Sequence, residues 1–147
     1  MDCRIKNRAT FFVANIIIPL LVGAFIYYVS SPNVIFVRRV DDFINDGNHL
    51  LYLNESSVLF DFLRNYFLDM LWGYALVFSL HFMNGNNAAE LNKVFVIAFT
   101  FSAVLEILQL TSSRGTFDVF DIVVEFLAEL IAVFIIKSYT KEISNEK

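Results

Sequence analysis

The sequence predicts an all-α, polytopic membrane protein with four transmembrane helices. Three observations carry that expectation. Of the 147 residues, 57% are apolar, against about 45–50% in a soluble domain. The apolar residues fall in long blocks, four of which can cross about 30 Å of hydrocarbon at about 1.5 Å per residue. Lysine and arginine are biased between alternate connecting segments, as the positive-inside rule requires. The length suits one membrane domain, residues 1–147.

The first block is Thr10–Ser30. Arg4, Lys6 and Arg8 before it resemble the n-region of a signal peptide. The apolar run is longer than the usual h-region of about 7–15 residues, and no small-residue cleavage site follows, so it reads as an uncleaved anchor. Pro19 lies inside it, which a packed bundle tolerates. Residues 31–65 form the sizeable loop, expected outside and partly helical. Within it, Ser31–Asn45 reads as a short interfacial helix stopped at Gly47. Asn54–Asn65 reads as a capped segment lying on the membrane. The second block is Tyr66–Met83, the third Val94–Leu110 and the fourth Val119–Ile136. Asn84–Asn92 is a polar turn.

Placing the N-terminus inside puts Arg4, Lys6, Arg8, Lys93, Lys137, Lys141 and Lys147 in the cytoplasm. Arg38, Arg39, Arg64 and Arg114 then lie outside. The bias favours both termini inside, with Tyr27 and Tyr28 at the outer headgroup level. A single cysteine, Cys3, excludes an internal disulfide. No basic patch with interleaved aromatics points to nucleic acid, and nothing calls for a cofactor.

The informative feature is polar. At about 100° per residue, Asp118, Asp121, Glu125 and Glu129 fall within an arc of about 80° on the fourth helix. Ser102, Glu106, Gln109 and Ser113 fall within about 60° on the third. Asn65, Asp69, Trp72, Leu76 and Ser79 share one face of the second. The fourth block has 13 Val, Ile, Leu or Phe, which contribute roughly −4 to −8 kcal/mol to insertion on a scale where each central acid costs about 2.5–3.5. Three acids facing lipid would cancel that gain, so the acids are expected to turn inward. Glu125 and Glu129 lie deepest and need the most help.

Arg114 sits in the turn between the third and fourth blocks, beside Gly115. From there its guanidinium reaches toward Glu106, Asp118 or Asp121. Asp118 also suits the N-cap of the fourth helix. His49 and His81 are isolated and read as surface residues. No zinc-protease, Cys–His or nucleophile-elbow motif is present, and no metal site is expected.

The run from Leu105 to Ala128 resembles the VanZ-like family of small bacterial membrane proteins. The matching residues are Glu106, Gln109, Arg114, Phe117, Asp118 and Asp121, with Glu125 where the family usually has Asn. Asn65 and Gly73 match a second pair in the second block. Leu71 replaces the customary Pro and Ala128 a frequent Gly, which marks a divergent branch. The resemblance covers about the last 90 residues. It implies a multi-span protein of the bacterial cytoplasmic membrane, in a family whose founding member is linked to teicoplanin resistance.

The residues and the resemblance together suggest an outward-opening polar pocket lined by Asn65, Asp69, Glu106, Gln109, Arg114, Asp118, Asp121 and Glu125. The expected partner is a membrane lipid, a lipid-linked envelope component or a lipoglycopeptide. Two rivals stand beside it: a membrane-embedded hydrolase or transferase acting on a phospholipid or polyprenyl-linked intermediate, and a structural module of an envelope complex. The topology has a direct test. In a Cys3→Ser background, Ser113→Cys should react with an impermeant maleimide on intact cells, whereas Asn87→Cys should react only after permeabilisation.

Overall fold

The alternation of apolar blocks and polar breaks folds into helices throughout the residues that the computed structural model describes, 2–31, 34–45, 62–110 and 118–145. Helix α1 is Asp2–Ser30 and continues through Pro19. Helix α2 is Ile35–Asn45. A π-helical turn, Leu63–Phe67, leads into α3, Leu68–Met83. A 3₁₀ turn, Ala88–Glu90, leads into α4, Leu91–Gln109. Helix α5 is Val119–Asn145. There is no strand among the described residues. The expected stop at Gly47, most of the segment from Asn54, and the turn bearing Arg114, Gly115 and Phe117 lie outside them.

Three helical stretches are long and apolar enough to cross a membrane: Ala9–Ser30, Leu63–Met83 and Ala88–Gln109. This is the build of a helical membrane protein. Helix α5 has the length, but Asp121, Glu125 and Glu129 interrupt its apolar stretch. The helices outrun the expected blocks at several ends, because backbone hydrogen bonding favours continuing a helix into polar flanks.

The α3–α4 connection shows how composition becomes geometry. Gly85 takes φ +69° and Asn86 φ +58°. The amide of Asn86 donates to the His81 carbonyl at 3.0 Å and that of Gly85 to Phe82 at 3.2 Å, the pattern of a Schellman cap. The Asn87 side chain then accepts from the Ala89 amide at 3.1 Å and starts the next helix.

Helix α3 is central and packs against α1, α4 and α5, while α4 also packs on α5. Neighbours along the chain fix the directions. Phe12 meets Phe78 while Gly23 faces Leu68 and Leu71, so α1 and α3 are antiparallel. Tyr66 meets Asp118 and Gly73 meets Glu125, so α3 and α5 run side by side in one sense. One end of the bundle, the base, holds the start of α1 and the α3–α4 turn. The other, the top, holds α2 and the starts of α3 and α5.

The apolar core lies toward the base: Phe12, Val77, Phe78, Leu91, Val94, Ala98, Ala132, Val133 and Ile136. Phe11 stacks on Tyr139 with centroids 3.8 Å apart, which joins the first helix to the last. His81 is fully buried in this core, 5.5 Å from the Phe12 ring, contrary to the surface role expected. Its position one turn beyond Val77 and Phe78 on the packed face explains the burial. Halfway up, the Tyr74 hydroxyl donates to Asn15 Oδ1 at 2.5 Å, and Asn15 Nδ2 donates back to the Phe11 carbonyl at 2.8 Å. An interhelical polar contact of this kind contributes about 0.6 kcal/mol on average in membrane bundles.

Gly73 sets the α3–α5 spacing. A Cβ there would stand 3.4 Å from the Glu125 carbonyl oxygen and 3.4 Å from Glu129 Cγ. Gly73→Ala should therefore fold with a small loss. Gly73→Leu should lose roughly 1–3 kcal/mol or more by overpacking, read as a lower unfolding midpoint in mixed micelles.

Candidate functional site

The top of the bundle gathers the acids that helical phase placed on separate stripes. Asp69 lies in the first turn of α3, Glu106 in the last turn of α4, and Asp121 and Glu125 in the first turns of α5. They are close enough for their charges to interact: Asp69 with Asp121 and Glu106, and Glu125 with all three and with Glu129. Glu106 also feels Asp118.

Each carboxyl meets a different fate. Asp118 caps α5, its Oδ1 accepting from the Phe120 amide at 2.9 Å. Its Oδ2 accepts from the Tyr66 hydroxyl at 3.2 Å, so it also pins α5 to the π-helical turn before α3. Cap and tether share one side chain. Gln109 Nε2 donates to Glu106 Oε1 at 2.8 Å along α4. Glu129 is fully buried, and its Oε1 accepts from the Ser102 hydroxyl at 3.1 Å. That bond answers the deepest acid with a donor from the neighbouring helix rather than with a cation.

The remaining oxygens stand out. Oε2 of Glu106, of Glu125 and of Glu129 is buried with no hydrogen-bond partner among the described residues. The three side chains are 6%, 5% and 0% exposed. A buried acceptor left unmade costs about 1–3 kcal/mol, so three of them gather an unmet cost within two turns of the bundle. No lysine or arginine among the described residues pairs with these acids. Arg114, the cation expected to meet them, lies outside the described residues. No group of three His, Cys, Asp or Glu among the described residues has an arrangement that would hold a metal ion.

Of the eight expected site residues, Asp69, Glu106, Asp118, Asp121 and Glu125 come together, with Gln109 attached through Glu106. Asn65 is exposed on the π-helical turn, where its Oδ1 accepts from Arg64 Nε at 3.2 Å. The wider turn shifts Asn65 out of phase with Asp69, so the straight α-helical stripe drawn through both does not survive. Trp72 of that stripe is 43% exposed, because the packed face of α3 is set by Gly73, Ala75, Val77 and Phe78.

Two contributors escape a reading of single stripes. Tyr66 holds Asp118 across 52 positions of sequence. Gly73 supplies the close approach beside Glu125 and Glu129. The signal for the Ser102–Glu129 bond was present, since each lies in phase with an acid one turn nearer the top.

Asp69 also lines a cavity of about 430 Å³ between α1, α2 and α3. Its walls include Gly23, Tyr28, Val37 and Trp72. The Tyr28 hydroxyl donates to Asp41 Oδ1 at 2.6 Å and holds α2 against α1.

A double-mutant cycle on Ser102→Ala and Glu129→Gln should give a coupling of about 0.6–1.7 kcal/mol, the range for hydrogen bonds between membrane helices. Unfolding in mixed micelles measures it.

No family model matches the chain, and neither a curated protein nor a solved structure matches it.

Proposed function

We propose that the chain is a four-span protein of the bacterial cytoplasmic membrane that binds an amphiphilic envelope ligand at the outer leaflet through the acidic top of its bundle. The single observation that carries this reading is the convergence of Asp69, Glu106, Asp121 and Glu125 from three helices with no cation among the described residues to answer them. Carboxyl groups gathered in an apolar bundle, with buried oxygens unpartnered among the described residues, favour a ligand that brings several hydrogen-bond donors or positive charge.

The fourth span is supported by the faces of α5. Between residues 119 and 134 its exposed residues are Val119, Phe120, Val123, Leu127, Leu130, Ile131 and Phe134. All are apolar, while Glu125 and Glu129 are buried. A lipid-facing helix with inward acids has this distribution. The placement of both termini in the cytoplasm rests on the lysine and arginine bias, which also puts the acidic end outside.

The kinship with the VanZ-like family is part of the proposal and rests on the ordered residues from Glu106 to Glu125. It names a first ligand to try, a lipoglycopeptide of the teicoplanin type. In this reading Arg114 meets a phosphate or carboxylate of the ligand, and the acids meet its amino or hydroxyl groups.

Expression in a glycopeptide-susceptible bacterium should raise the inhibitory concentration of teicoplanin several-fold. Arg114→Ala and Glu125→Ala should each abolish the increase while the protein still accumulates in the membrane. If Arg114→Ala prevents accumulation and Arg114→Lys restores it, the arginine is structural and the binding role assigned to it fails.

A further inference from the structure

We propose that the cavity between α1, α2 and α3 receives the hydrocarbon chain of an amphiphile whose ammonium head docks at Asp69. The inference rests on the reading of the chain as a binder of envelope amphiphiles, and it names the chemical class and the place.

Size and shape come first. The cavity holds about 430 Å³, within the range of small-molecule sites. It runs from Pro19 and Gly23 of α1 to the start of α3, and Val37 of α2, 1% exposed, forms part of its wall. Helix α2 therefore roofs it, and the Tyr28–Asp41 hydrogen bond holds the roof in place. Gly23 opens the space. A Cβ there would make ordinary van der Waals contact with Leu71 Cδ1 at 3.8 Å and Leu68 Cδ2 at 3.9 Å, so the space beside Gly23 admits a methyl group.

Charge selects the head. Among the described residues that line it, Asp69 is the one carboxyl, and the others are apolar or aromatic. Asp69 interacts with Asp121 and Glu106, and Glu125 interacts with all three. Glu125 contributes a buried Oε2 without a partner. The Asp69 carboxyl has no attraction for an anionic head and prefers one that brings donors or positive charge. An ammonium satisfies it, and Tyr27 and Tyr28 offer aromatic rings on the same wall, a further attraction for a cation.

Trp72 makes the inference measurable. It is the chain's single tryptophan and it lines the cavity. The purified full chain, in phosphatidylcholine nanodiscs, is titrated with chain-brominated alkylamine and with the alkyl carboxylate of the same length. The amine should quench Trp72 saturably, at about tenfold lower concentration than the carboxylate, and unlabelled amine should reverse it. Asp69→Asn should erase the preference for the amine while leaving quenching by the chain. Gly23→Leu, which fills the cavity, should remove the saturable component for both.

Quenching that rises linearly for both heads, or that Gly23→Leu leaves unchanged, means that bulk lipid reaches Trp72 and overturns the cavity site. A preference for the amine that survives Asp69→Asn overturns the role of Asp69. The two readings part cleanly. Saturable quenching without antibiotic protection sinks the lipoglycopeptide reading alone, and protection with linear quenching sinks the cavity alone.

Discussion

The structure depends on one close approach. At Gly73 the backbone of α3 comes so near α5 that a Cβ would press on the Glu125 carbonyl and the Glu129 side chain. In a bilayer there is no hydrophobic force to draw helices together, so association relies on packing and on interhelical hydrogen bonds. A glycine supplies the first and creates the conditions for the second. With α5 held against α3, Glu129 faces α4, where Ser102 donates to it. Without that approach the deepest acid would have no donor, and the three helices would lose the level at which they agree.

The arrangement divides the bundle in two. Toward the base, Phe12, Phe78, Leu91 and Ile136 make an apolar core in which even His81 lies fully buried. Toward the top, carboxyl groups replace apolar side chains, and the tethers become polar: Tyr66 to Asp118, Gln109 to Glu106, Tyr28 to Asp41. The carboxyl oxygens left without a hydrogen-bond partner among the described residues, Oε2 of Glu106, Glu125 and Glu129, lie above that core. A ligand that brings donors or positive charge to the top adds what the chain there lacks, which is how a binding site and a weakly satisfied region come to coincide.

Much of this was legible in the residues. Block lengths gave the helices, and the phase of Asp121, Glu125 and Glu129 against Ser102 and Glu106 gave the facing stripes. Asp118 behaved as the cap that its residue type suggests, and also as a tether, because a carboxylate has an oxygen for each task. What escaped depends on geometry that a helical wheel omits. The π-helical turn rotates Asn65 away from Asp69. His81 looked isolated because its neighbours in the core, Phe12 among them, are remote in sequence. The cavity beneath α2 has no sequence signature, because its walls bring together Pro19 and Gly23 of α1, Val37 of α2 and Asp69 and Trp72 of α3.

The stacking of Phe11 on Tyr139 has a consequence for biogenesis. During synthesis the first helix enters the membrane long before its aromatic partner is made. Until the last turns of α5 emerge, Phe11 and Phe12 must be sheltered by lipid, by α3 or by the insertion machinery. Closure of the base through this contact thus waits for the second half of α5. A chain cut before Tyr139 lacks this aromatic clasp and holds its first helix only through α3.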